Sequence, residues 1–147
     1  MGQDREEGAR GVLRPRGGAR RLAAWAPVAF LLGLEFWLSS QSVLPEVLPG
    51  SIPQGDKILH SGYFFLTALF AVHAMRVVEG WGRGRTAAAL LSAALAWGIS
   101  DEWHQSFVPG RSVEAADVAA DVLGAALSLA AWEVVSHRRS LSAGRGG

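Results

Sequence analysis

Residues 100–111 read Ser100-Asp101-Glu102-Trp103-His104-Gln105-Ser106-Phe107-Val108-Pro109-Gly110-Arg111, a dense polar run between two stretches apolar enough to lie in a bilayer. Upstream is the Ala/Leu-rich segment from Thr86 to Ile99. Downstream, Ala116 to Val135 is largely apolar but carries Asp117 and Asp121 near its start. Pro109-Gly110 marks a turn, so the run reads as a connection between two helices, the first continuing through Asp101 to Gln105 before the Pro-Gly pair stops it. Ionisable groups beside hydrocarbon are costly and persist where they face a protein interior, a watery cavity or a ligand.

Outward from this connection, the apolar residues gather into four blocks, about Leu22 to Ser40, Ile58 to Val78, Thr86 to Ile99 and Ala116 to Val135. Each approaches the ~20 residues that a transmembrane helix requires. The 147-residue chain is half hydrophobic with a net charge of +1, which argues against disorder and against a strongly basic nucleic-acid binder. It has no cysteine, hence no disulfide, thiolate nucleophile or Cys-based metal site. The expected fold is all-α, a four-helix polytopic transmembrane bundle over 22–136. A flexible basic N-terminus (1–21) and a flexible tail (137–147) flank it. With no clear small-x-small cleavage site after the first block, that block reads as an uncleaved helix rather than a signal peptide.

Charge supports an even number of crossings. Arg5, Arg10, Arg14, Arg16, Arg20 and Arg21 precede the first block. Arg76, Arg83 and Arg85 join the second to the third, and Arg138, Arg139 and Arg145 follow the fourth. The positive-inside rule makes these segments, and both termini, cytoplasmic. The other two connections hold only Lys57 and Arg111 as basic residues against several acids, and read as extracytoplasmic. Trp25, Trp37, Trp103 and Trp132 fall near block ends, as an interfacial belt would.

This topology brings three polar helix ends to one depth: Asp56, Lys57, His60 and Tyr63; Asp101, Glu102 and Gln105; and Asp117 and Asp121. Asp56, His60 and Tyr63 recur at i, i+4 and i+7, as do Asp117, Asp121 and Gly124, so each set shares a helical face. Ala116, Ala120 and Gly124 allow the fourth helix to pack closely. The faces converge on a candidate pocket. His60 either hydrogen-bonds Asp56 across one turn or serves as a ligand or proton-transfer group. Arg111 either neutralises Glu102 or Asp117, or binds a phosphate or carboxylate with its planar fork. Asp117 suits the positive end of the fourth helix, and Glu35 either snorkels outward or packs between helices, which is the preferred reading, or adds a carboxylate to the same pocket. Carboxylates and imidazoles, His104 among them, suit a metal by type, but no HExxH spacing is present and no metal site is expected. No Gly-x-Ser-x-Gly elbow or phosphate-binding glycine loop marks an enzyme.

The pattern Asp56-Lys57-x-x-His60, then Asp101-Glu102-x-x-Gln105-x-Phe107-x-Pro109-Gly110-Arg111, then Asp117 and Gly124, resembles the VanZ-like family. The likeness runs from about Trp37 to Ser128 and includes Leu38-Ser39-Ser40-Gln41. Asp121 departs from it where an asparagine is common. The resemblance implies a small bacterial integral membrane protein of the inner membrane, in a family whose namesake is associated with teicoplanin resistance. It places Asp56, Lys57 and His60 in one motif and Glu102, Gln105, Arg111 and Asp117 in the other. The functional expectation is an outward-facing pocket for a membrane lipid or a lipid-linked cell-wall precursor, with Arg111 and Lys57 toward phosphate or carboxylate. A membrane-embedded hydrolase or transferase and a scaffold for envelope enzymes are the alternatives. Cofactor and oligomeric state are not legible in the sequence.

Overall fold

A computed structural model describes residues 17–43 and 54–144. Arg5, Arg10, Arg14, Arg16, Glu46 and Arg145 lie outside these residues. The described chain folds into four helices: α1 (Gly17–Ser39), α2 (Gly55–His73, prolonged by a π-helical turn at Ala74–Val78), α3 (Arg83–Gln105) and α4 (Ala115–Ala143). The fold is all-helical, as expected. α1 starts before Leu22, and α4 runs beyond Val135 through the first part of the segment read as a tail.

Three of the helices, Gly17–Ser39, Gly55–Val78 and Ala115–Ser142, are long and apolar enough to cross a membrane. α3 has 23 residues, roughly 34 Å at 1.5 Å per residue, but Arg83, Arg85, Asp101 and Glu102 at its two ends lower its mean hydropathy. Large side chains face outward along the bundle, among them Leu22, Phe30, Leu66, Phe70, Leu95, Leu127 and Val134. In water so wide an apolar surface would drive association. In lipid it is the required exterior.

α2 and α4 form the most extensive helix pair, with α1 packed on α2 and α3 packed on α4. Between hydrocarbon-facing helices close packing replaces the hydrophobic drive, so small residues dominate the interface. Ala68, Ala71, Ala120, Ala125 and Ser128 are buried there. Gly124 sets the approach: a Cβ on it would collide with the Ser61 carbonyl oxygen and stand 2.9 Å from the Phe65 backbone nitrogen. Phe64, Val72, Met75, Leu90 and Ala94 complete the core.

At one end of the bundle α2 unwinds through the π turn, where Glu79 N–H donates to Ala74 O at 2.9 Å and Gly80 takes a φ of 70°. Arginines collect at this end. Arg21 pairs with Glu79 at 3.1 Å and Arg83 with Glu133 at 3.0 Å, while the Arg85 guanidinium lies 4.0 Å above the Trp81 ring. The start of α1, the α2–α3 connection and the end of α4 therefore share one face. That is the face the positive-inside rule assigns to the cytoplasm. At the other end, Arg111 N–H donates to Val108 O at 3.2 Å and Gly110 has a φ of 84°. These features fit a type II turn with Pro109 and Gly110 at its centre.

Candidate functional site

The end opposite the arginine face contains a cleft of about 470 Å³. α1 contributes Glu35, Leu38 and Ser39. α2 contributes Asp56, Leu59, His60 and Tyr63, α3 contributes Asp101 and Gln105, and Gly110, Arg111, Ser112, Glu114 and Asp117 form the rim. All nine residues singled out from the sequence lie around this end of the bundle, but their partners differ from several of the expected ones.

Lys57 is the hub of the upper layer. Its ammonium is 2.6 Å from Asp56 Oδ2, 2.6 Å from Glu114 Oε2 and 2.7 Å from Asp117 Oδ1. An ammonium has three donors, and three carboxylates face them, so Lys57 is not a free cation for an incoming anion. These contacts tie the loop and α4 to α2. The Lys57 ammonium also holds the Glu114 carboxyl below the usual carboxylate range. Asp56, Glu114 and Asp117 are the His/Asp/Glu trio close enough to hold a metal among the described residues, and the lysine head already fills their centre.

His60 does not bond Asp56. Its Nδ1 lies 3.0 Å from Asp121 Oδ1 and its Nε2 lies 3.9 Å from Asp117 Oδ2. The close α2–α4 contact at Gly124 turns this face of α2 toward α4, while Asp56, a turn earlier, pairs with Lys57. Asp121 is almost wholly buried and is held under Gly98 of α3, where an added Cβ would meet its Oδ2 at 2.9 Å. A carboxylate can accept the imidazole N–H that an asparagine amide would meet only through its carbonyl oxygen, so the aspartate at 121 has a defined partner.

Along α3, Gln105 Nε2 donates to Asp101 Oδ2 at 2.6 Å, and Arg111 Nε donates to Gln105 Oε1 at 3.1 Å. Arg111 therefore neutralises neither Glu102 nor Asp117. Among the described residues it forms no ion pair, and its terminal guanidinium nitrogens remain at the rim. Glu102 accepts the Glu114 backbone N–H at 2.6 Å, tying the end of α3 to the residue that opens α4. Asp117 sits in the first turn of α4, as its affinity for the helix dipole suggests. Replacing Glu102 with Ala should cost about 1 kcal/mol, the usual value of a lost cap interaction. Glu102→Gln, which keeps an acceptor, should recover most of it; thermal unfolding in detergent checks both.

Glu35 takes the less favoured of its sequence readings, a carboxylate in the pocket. It is 9 % exposed and lines the cleft instead of snorkelling. The reason is the seating of α1: Tyr63 OH donates to Leu31 O at 2.5 Å, one turn before Glu35, and this fixes the rotation that turns Glu35 inward. Glu114 and Glu35 are thus members of the site that spacing alone did not select. Glu114 was legible as an acid preceding an apolar block. His104 belongs elsewhere: its Nε2 meets Ser40 Oγ at 3.0 Å and its ring packs 4.5 Å from Phe36, joining α3 to α1. Trp37 and Trp103 are exposed at this end, while Trp25 reaches Glu79 and Trp132 packs on His73 at the other. Tryptophans thus lie toward both ends of the bundle.

An up-and-down bundle with an apolar exterior, tryptophans toward both ends and a polar cleft at one end defines a small helical membrane protein. The VanZ/LLP1 family profile matches residues 12–136, and the chain belongs to that family. No curated protein and no solved structure matches it.

Proposed function

We propose that the cleft receives the phosphate-bearing headgroup of an envelope lipid or lipid-linked cell-wall precursor from the outer side of a bacterial inner membrane. The observation that carries this reading is Arg111. It is the rim cation without an acidic partner among the described residues, held by Gln105 through Nε alone, at a cleft whose wall also includes the apolar Leu38 and Leu59. A guanidinium fork suits phosphate oxygens, and an apolar wall beside a polar rim suits a molecule with one wet and one oily end. Resistance to a glycopeptide such as teicoplanin would follow from this activity where the bound lipid carries a cell-wall precursor.

Arg111→Ala should insert and fold normally while losing about tenfold or more in retention of phospholipid, the value of one or two charged hydrogen bonds. Native mass spectrometry of the detergent-purified protein mixed with phosphatidylethanolamine measures this. Equal retention by both proteins would remove Arg111 from the site.

A second reading rests on the His60–Asp121 pair, in which a buried carboxylate orients an imidazole at the cleft wall, as in acid/base catalysis. It requires turnover. Incubating the protein with phospholipids and polyprenyl diphosphates, with and without chelator, should yield a product that His60→Gln does not; no product in any arm rejects catalysis on these lipids.

A further inference from the structure

The floor of the cleft holds carboxylates that the bundle does not neutralise. Glu35 from α1 and Asp101 from α3 are both at least nine-tenths buried, both line the cleft, and Glu35 Oε2 and Asp101 Oδ1 have no hydrogen-bond partner among the described residues. Of the cations around the cleft, Lys57 is committed to its three carboxylates and His60 to Asp121 with Asp117 nearby, while Arg111 stands at the rim on Gln105. Gln105 gives Asp101 one neutral amide donor on its other oxygen. The Trp97 indole stands beside Glu35 but is itself buried without a well-formed bond. A buried acceptor left unmet costs about 1–3 kcal/mol, more for a charged group. Two such groups at one cleft floor therefore call for a donor that arrives with a ligand.

The donor needed carries N–H bonds and positive charge. We propose that Glu35 and Asp101 receive the primary ammonium of a phosphoethanolamine headgroup whose phosphate rests on Arg111 at the rim. This deepens the phospholipid reading above and rests on it. A primary ammonium offers three N–H donors to the two oxygens. A trimethylammonium brings the same charge with no N–H, and a glycerol headgroup brings hydroxyl donors without the charge. The site is thereby selective among headgroups that share one phosphate.

Native mass spectrometry of the full-length protein, with equal concentrations of phosphatidylethanolamine, phosphatidylcholine and phosphatidylglycerol of identical acyl chains, tests this directly. Phosphatidylethanolamine should be retained about tenfold or more above the other two, the value of a charged hydrogen bond. Glu35→Gln with Asp101→Asn, which preserves shape, should cut that preference to about twofold or less. Equal retention of the three lipids by the wild type, all lost in Arg111→Ala, would overturn the ammonium site and leave the phosphate site standing. No retention of any lipid by the wild type would overturn both. The wild-type comparison decides the matter even where the double variant fails to fold.

Discussion

Gly124→Ala should unfold this protein or destabilise it by at least about 3 kcal/mol, beyond the usual penalty for overpacking a core. The added methyl meets the Ser61 carbonyl oxygen and lies 2.9 Å from the Phe65 backbone nitrogen. Both are backbone atoms of α2, so no side chain can swing aside, and α4 must move away from its principal partner. That opposes the roughly 1 kcal/mol that Gly→Ala ordinarily gains within a helix. Gly62→Ala is the matched control, because nothing lies within 4 Å of a Cβ there; it should be neutral or slightly stabilising. Melting of the two purified variants, followed by tryptophan fluorescence, separates packing from propensity. Because the same contact turns His60 toward Asp121, a Gly124→Ala protein that remains folded should also bind lipid poorly.

Lys57→Met should be the second most damaging change. It leaves Asp56, Glu114 and Asp117, whose ligand oxygens lie within 4.8 Å of one another, without their common cation. A fully buried pair broken in this way costs about 3–5 kcal/mol. The side chains of Asp56 and Glu114 are 57 % and 45 % exposed, so water screens much of the repulsion and the loss should fall well below that of a buried pair. The pH dependence has a definite sign. Lysine depresses the Glu114 carboxyl, so its favourable contribution in the wild type is present above the ordinary carboxylate pKa and is lost as pH falls through the lowered value. In Lys57→Met no such contribution exists, and protonation relieves repulsion instead. The stability gap between the two proteins should therefore be widest near neutral pH and narrow toward pH 4. A gap that widens on acidification would contradict the three-carboxylate hub.

The helices, their alternation and the arginine-rich end were legible because apolar block length and arginine placement act through the bilayer, along the chain's own axis. The convergence of Asp56, His60, Asp101, Asp117 and Asp121 at one depth followed from the same reasoning, and small residues at Ala120 and Gly124 correctly marked close packing. Partner choice was not legible, because it depends on helix rotation about that axis. Periodicity could place Asp56 and His60 on one face, yet whether His60 met Asp56 or Asp121 depended on how closely α2 approaches α4. The inward turn of Glu35 was one of two open readings for the same reason, since the choice hangs on the Tyr63 hydroxyl reaching Leu31 O. The carboxylates around Lys57 were not legible either, because Glu114, 57 residues away in sequence, reaches it only in the folded bundle.

That the cleft holds a phospholipid headgroup is tested most directly by crosslinking in intact cells labelled with radioactive phosphate. A photoreactive phenylalanine analogue replaces Leu59 inside the cleft or Leu66 on the lipid-facing surface. The expected result is a labelled lipid adduct at both positions, with Arg111→Ala abolishing the adduct at Leu59 and sparing that at Leu66. An adduct at Leu59 that survives Arg111→Ala, or none there while Leu66 labels normally, would contradict a headgroup site in this cleft.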